Sequence, residues 1–262
     1  MSHYYNDEGK LIEGNITTCR KHNLNVSFTT YKDILAKSWG LSQWIIDEHI
    51  KEAFDIIESN LGFIDVEFAD GKTIQAPAIG HTKKELIKEV KERQSVKRDT
   101  TMDFGSEMHN FMRRIVKGDL IELSHRPEDE QLILKSMVKW AKDNEVEPLE
   151  QEKTYVIPEL RTASTIDILC MLKGEKWLID YKTQSTKKDK PVTIYDDMIW
   201  QLGAYHNLVR TDGHEVERFG NLIISSTEPG RIEMVEHKRE KIDWGEAVAA
   251  KTLELFKIIK KL

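Results

Sequence analysis

Residues 164–184, STIDILCMLKGEKWLIDYKTQ, decide how this chain is read. Side chains alternate across a strand, and two apolar runs with that alternation meet at Lys173-Gly174-Glu175, so the stretch predicts an antiparallel hairpin. In the second run Trp177, Ile179 and Tyr181 point one way, and Leu178, Asp180 and Lys182 the other. The first run is apolar on both faces, with Ile166, Ile168, Cys170 and Leu172 against Leu169 and Met171, as an interior strand requires. Each run nevertheless carries one aspartate. Counting back from the turn pairs Leu172 with Lys176 and brings Asp167 near Tyr181, so Asp167 and Asp180 share the end of the hairpin away from the turn. Two carboxylates placed there repel and lose hydration unless a cation lies between them, and a hard divalent ion is the natural partner. Lys182 beside them can orient or help deprotonate water at such an ion and offset charge building on a phosphate. An ordinary strand-end ion pair also fits Asp180 and Lys182, because the same acid-x-lysine spacing recurs at Glu8/Lys10, Asp70/Lys72, Glu89/Lys91 and Glu236/Lys238.

Outward from the hairpin, the apolar period separates two regions. After Pro148 it is that of strands, at 154–157, 164–172 and 176–182; a helix follows over 193–209, then strands at 221–225 and 231–236 and a closing amphipathic helix over 244–262. Before Pro148 it is helical. Ser27, Thr29 and Thr30 offer N-caps for a helix beginning near Tyr31, and 41–57 carries Leu41, Trp44, Ile45, Ala53, Ile56 and Ile57 at helical spacing. Residues 65–76 read as an exposed β-hairpin about an Asp70-Gly71 turn. A charged helix over 83–98 lies across a surface or frames an opening. The helix over 105–118 has Met108, Phe111, Met112, Ile115 and Val116 in one stripe, and a helix over 128–144 turns Leu132, Met137, Trp140 and Ala141 inward. These patterns predict an α/β fold with a mixed central sheet flanked by helices. Its expected parts are a polar, loosely held segment over 1–26, a helical lobe with a β-hairpin over 27–148, and a core over 149–262, intertwined as one domain.

A chain of 262 residues buries a core without covalent staples. Charged residues make up 32% and hydrophobic ones 39%, with no apolar run near the twenty residues a membrane span needs, which excludes a membrane protein. The opening MSHYYNDEGK lacks a basic stretch followed by an apolar one, so a secretory signal is not expected and a cytoplasmic setting is. Cys19 and Cys170 cannot supply the four thiolates of a zinc or iron-sulfur site, and Cys170 reads as a buried free thiol. A net charge of -6 argues against coating nucleic acid through overall basicity and leaves a local basic patch open.

In chain order, T-I-D at 165–167, L-I-D-Y-K-T at 178–183 and Q-L-G-A-Y at 201–205 resemble the PD-(D/E)xK nuclease superfamily, specifically its RecB-like exonuclease branch. SFTTYKDIL at 27–35 with LSQW at 41–44 is similar to the opening of phage and mitochondrial single-strand exonucleases of that branch, and GSEMHNFM at 105–112 to their G-[ST]-x-x-H helix. The resemblance spans 27–236, and the ordered set is far more specific than any one motif. It implies a restriction-endonuclease-like core with an N-terminal helical lobe, and a metal-dependent DNA exonuclease that hydrolyses phosphodiester bonds from single-stranded ends with one or two Mg²⁺ or Mn²⁺ ions. Asp167 and Asp180 would bind metal, with the Tyr181 carbonyl and His109 as further ligands, and Lys182 would be the catalytic lysine. Glu152 matches an acidic position that some members turn toward the metal; it also reads as an exposed glutamate leading a strand. Gln201 and Tyr205 match the Q-x-x-x-Y motif that orients the scissile strand and the active site, although on their own they read as a surface amide and a core tyrosine. Thr183 is placed to reach a phosphate oxygen. Lys187, Lys188 and Lys190 would contact the DNA backbone or simply occupy a solvated loop. By analogy the helices over 31–116 arch above the site, and a strand threaded beneath them gives the preference for free ends.

Two positions depart from the family pattern: Ser164 stands where many relatives have glycine, and the cysteines needed for the iron-sulfur cluster of some members are missing. A noncatalytic DNA-end-binding accessory protein of recombination, or an endonuclease with the same site, are the other readings. A replication or recombination protein as partner, and a phage origin in a bacterial host, are compatible with the resemblance.

Overall fold

The computed structural model describes residues 3–35, 39–67, 72–79 and 82–262. In chain order the elements are β1 Tyr4–Tyr5, β2 Leu11–Ile12, α1 Ile16–Lys21, β3 Asn25–Val26, α2 Phe28–Tyr31, α3 Trp39–Ser59, β4 Leu61–Glu67, β5 Thr73–Ile79, α4 Lys83–Lys117, α5 Glu128–Asp143, β6 Glu147–Ile157, β7 Thr162–Leu172, β8 Glu175–Gln184, α6 Asp196–Thr211, β9 Arg218–Ser225, β10 Ile232–His237 and α7 Arg239–Lys260. Two compact units result, one of Met1–Leu35 with Gly105–Leu262 and the other Ala36–Phe104. Among the described residues no helix is long and apolar enough to cross a membrane.

The larger unit is built on one mixed sheet in the order β10-β9-β8-β7-β3-β1-β2, with β6 also paired to β7. β8 and β9 run parallel, as do β3 and β7, and the other pairs are antiparallel. A parallel pair needs a crossover, and α6 supplies it between β8 and β9. Leu202, Tyr205, Leu208 and Val209 of α6 pack with Leu169, Leu178 and Phe219 of the strands and Ile242 of α7. Each such side chain contributes about 1.5–3 kcal/mol by leaving water. The opposite face meets α4 and α5: the His109 ring stands edge-on to Tyr181, Gly105 approaches Thr183, and Met108, Met112, Leu134 and Met137 are buried. The mixed sheet flanked by helices matches the expectation.

In the smaller unit β4 and β5 form an antiparallel hairpin from Leu61↔Ile79 to Glu67↔Thr73. The expected Asp70-Gly71 turn lies outside the described residues. Ile56 of α3 is buried, and Arg93 of α4 bonds Glu89 at 2.7 Å and Glu52 of α3 at 3.3 Å.

Several expectations are corrected. The central turn has two residues, Lys173 and Gly174, both with positive φ (50° and 84°), so Leu172 pairs with Glu175 and not with Lys176. A two-residue loop with both residues left-handed matches the twist of the flanking strands better than the three-residue turn expected. The helices expected at 83–98 and 105–118 are one, α4; Gly105 lies in its interior, where a Cβ would come 3.1 Å from Thr183 Oγ1. Residues 3–26 are not loosely held: β1 and β3 extend the sheet, and Tyr4, Tyr5, Cys19, Leu24 and Val26 are buried. Strands of two residues are too short to show a period. Ser27 does cap a helix, accepting from Thr30 N at 3.2 Å, but that helix is α2, one turn ending at Tyr31. The two compact units divide at 35/36 and 104/105.

Candidate metal centre

The site begins where the central hairpin comes apart. The β7/β8 ladder runs from Leu172↔Glu175 to Ile168↔Ile179 and stops there, while β8 stays paired to β9 as far as Gln184↔Ser225. A strand N–H facing the gap needs another partner, and Tyr181 N donates to Asp167 Oδ2 at 2.6 Å. N–H and C=O of one residue leave the same edge of a strand, so the Tyr181 carbonyl faces the gap as well. The ladder ends one step short of Asp167 and Asp180, which flank the gap from the two strands.

On its other side β7 is paired to β6 on both flanks of one interruption: Gln151↔Ile168 and Lys153↔Ile166 bracket Glu152 and Asp167. Glu152 has φ 49°, a left-handed conformation rare for a residue with a side chain, and such strain collects at functional sites. His109 arrives from α4 with Nδ1 3.5 Å from Asp167 Oδ1. Ligand atoms of His109, Glu152 and Asp167 all lie within 4.8 Å of one another.

Asp180 lies outside this triad and is fully buried. Lys182 Nζ is 2.8 Å from both of its oxygens, and Asn221 Nδ2 donates to Oδ2 at 2.7 Å. Lys182 also donates to Gln201 Oε1 at 3.1 Å, and Gln201 Nε2 donates to Tyr205 Oη at 2.6 Å. Gln201 and Tyr205 are both buried, with their polar atoms aimed at Lys182 and each other, so Gln201 is not a surface amide. Gln201 faces the sheet because it shares a helix face with Tyr205, four residues on.

Burial is the largest influence on every ionisable group here. It pushes the Asp180 carboxyl up to about 6, with the Asp167 charge adding to the rise and Lys182 opposing it. Burial also works against the Asp167 carboxylate, yet His109, Lys182 and the Tyr181 N–H together hold that group below the usual carboxylate range. For His109 burial disfavours the cation, and the hydrogen bond and charge of Asp167 outweigh it, raising the imidazole. Burial and then the Asp167 charge raise Glu152. Lys182 is lowered by burial but raised more by Asp180 and Asp167, so it stays an ammonium.

Thr183 is half-buried against α4, with its hydroxyl beside Gly105. Lys187, Lys188 and Lys190 are exposed on the loop after β8. That loop is held from behind, because Arg231 donates to the carbonyls of Lys187 at 3.0 Å and Lys190 at 2.5 Å. Arg231, Asn221 and His237 carried no motif that would single them out. Cys170 is a buried free thiol, as expected, and Cys19 is another.

No family model matches the chain, and no curated protein matches it. Among solved structures, one titled "Crystal structure of SSO0001" is 12% identical, with a TM-score of 0.28 over 59% of this chain and 87% of that one. So weak a likeness carries no argument about fold or activity.

Proposed function

We propose that this chain is a Mg²⁺- or Mn²⁺-dependent deoxyribonuclease of the RecB-like branch of the PD-(D/E)xK superfamily, with a restriction-endonuclease-like core, acting on DNA from single-stranded ends. The observation that carries the reading is the split between β7 and β8, where Asp167 meets His109 and Glu152 while Lys182 grips Asp180. The preference for ends rests on the sequence resemblance.

The donors suit the ion. One imidazole and clustered carboxylates form an oxygen-rich set appropriate to a hard divalent cation, and a buried carboxylate pushed up to about 6 is relieved by positive charge nearby. His109, Glu152 and Asp167 would hold it, with Asp180 and the Tyr181 carbonyl alongside. Such an ion supplies Lewis acidity toward a phosphoryl oxygen and makes water a stronger acid.

The chain's own groups do the rest. Lys182 offers an ammonium fixed beside the carboxylates, placed to offset charge gathering on a phosphate. Gln201 restrains that ammonium by accepting one of its protons, and Tyr205 in turn restrains Gln201. The exposed lysines 187, 188 and 190 present a basic loop to a DNA backbone, which would make activity fall with salt. The departure at Ser164 is accommodated, since its Oγ accepts the Phe28 N–H at 3.1 Å.

The test is digestion of end-labelled linear and circular, single-stranded and duplex DNA with Mg²⁺, Mn²⁺ or EDTA. Linear single strands should be shortened with either metal, circles spared, and EDTA should stop the reaction. Asp180→Ala and Lys182→Ala should abolish cleavage while DNA binding survives, and His109→Ala should lower it severely. Undiminished cleavage by the Asp180 or Lys182 variant refutes the assignment; cut circles make the enzyme an endonuclease.

A further inference from the structure

β9 is an interior strand that reads Phe219, Gly220, Asn221, Leu222, Ile223, Ile224. Asparagine is disfavoured in strands, and burying an amide costs free energy unless it is hydrogen-bonded. Asn221 is nonetheless fully buried, and it stands directly across from Asp180 in the parallel register. Its Nδ2 donates to Asp180 Oδ2 at 2.7 Å. Its Oδ1 lies 2.8 Å from Nε2 of His237, a second buried polar residue, at the end of β10.

An amide can present either end to a neighbour. With Nδ2 on Asp180, Asn221 Oδ1 must accept, so His237 Nε2 carries the hydrogen and donates it. The flipped amide would set an oxygen against the Asp180 carboxylate, so Asp180 fixes the polarity of Asn221. His237 Nε2 then holds the far end of the amide, and Asn221 in turn fixes the carboxylate plane of Asp180. Burial of all three leaves little room for water to substitute.

The geometry points to Asn221 and His237 as positioning residues that hold Asp180 for the metal-dependent chemistry proposed above. Among the described residues their side chains make no hydrogen bond to the triad or to Lys182, so they act through Asp180. The inference rests on the nuclease reading, and the conservative exchange that separates orientation from packing is His237→Gln, which keeps an N–H donor, against His237→Leu, which removes it.

The experiment uses the full chain and two readouts: Mn²⁺ binding by titration calorimetry without DNA, and steady-state cleavage of single-stranded DNA with kcat and KM separated. Asn221→Leu and His237→Leu should each weaken Mn²⁺ binding and lower kcat by about 10- to 100-fold, the range for partners that orient metal ligands. KM for DNA should stay within about twofold, because no phosphate contact is lost. His237→Gln should recover most of the loss. Leucine variants that fold and match the wild type in both readouts, or a glutamine variant no better than leucine, overturn the inference. Should a leucine variant fail to fold, Asn221→Ser and His237→Gln decide: the first must lose Mn²⁺ affinity and the second keep it, and the opposite order overturns the proposal. A wild-type chain that neither binds Mn²⁺ nor cleaves DNA refutes the nuclease reading itself, and the positioning role falls with it.

Discussion

Replacing Asp180 with asparagine should make the metal-free protein more stable while destroying activity. The carboxyl is fully buried and its pKa is pushed from 3.8 to about 6, chiefly by burial. A folded-state pKa above the unfolded one means that the folded chain binds the extra proton. The stability of the protonated form is fully present below pH 3.8 and is lost as pH rises through about 6. Above that, ionised Asp180 costs about 3 kcal/mol, at about 1.4 kcal/mol for each tenfold change in proton affinity. Asparagine resembles the protonated carboxyl and, with its oxygen in the Oδ2 place, can accept from both Lys182 and Asn221, but its amide nitrogen then faces the Lys182 ammonium donor to donor, so the expected gain is about 1–3 kcal/mol. At about 2–4 °C per kcal/mol for a chain of this size, Asp180→Asn should melt roughly 2–12 °C higher at pH 7.5 in EDTA. The advantage should shrink across pH 6 to 4, where the wild type takes up its own proton. Saturating Mn²⁺ should raise the wild-type midpoint more than the variant's, because a bound ion stabilises the state that holds it. Calorimetric melts at pH 4, 6 and 7.5, with and without Mn²⁺, check each step. A variant that melts no higher than wild type at pH 7.5 in EDTA, or whose advantage is undiminished at pH 4, refutes the claim that the site stores destabilising negative charge.

The remaining predictions concern the parts that hold the site. A Cβ on Gly203 would lie 2.2 Å from Glu246 N and 2.4 Å from the carbonyl carbon of Gly245, so Gly203→Ala must push α6 and α7 apart and cost about 3 kcal/mol, read by urea unfolding; a loss under about 0.5 kcal/mol contradicts the close crossing. Gln201→Leu takes the acceptor from Lys182 and should lower kcat about tenfold with DNA affinity nearly unchanged; a loss confined to KM would mean a direct contact with substrate. Arg231→Ala frees the carbonyls of Lys187 and Lys190, so trypsin should cut the 185–192 loop several times faster without a change in melting temperature; equal cutting rates would show that the loop is held by other contacts.

The order of helices and strands, the mixed sheet and the acid-acid-lysine arrangement were legible in the sequence. They rest on local periodicity, and a strand's alternation assigns Asp180 and Lys182 to one face with no reference to the rest of the chain. The register was not legible, because it turned on the backbone angles of Lys173 and Gly174, which decide whether Glu175 belongs to the turn or to the strand. Residues 4–5 and 25–26 joined the sheet without any pattern, since two residues cannot show a period and their pairing partners lie far along the chain.

Within the candidate site the division is the same. Asp167, Asp180, Lys182 and His109 announce themselves by residue type and motif spacing, whereas Asn221 and His237 are polar residues in or beside an apolar strand, with nothing local to mark them. Glu152 resembles any exposed glutamate until its left-handed backbone is seen opposite Asp167. Gln201 and Tyr205 were recognisable as a pair, but their aim at Lys182 depends on how the crossover helix settles on the sheet. Composition and spacing by themselves determined which chemical groups the chain carries and which face of each element they occupy. Only the tertiary structure decided which of them meet, because hydrogen bonds such as Lys182 to Gln201 or Asn221 to Asp180 form between segments whose separation along the chain leaves no trace in either segment alone.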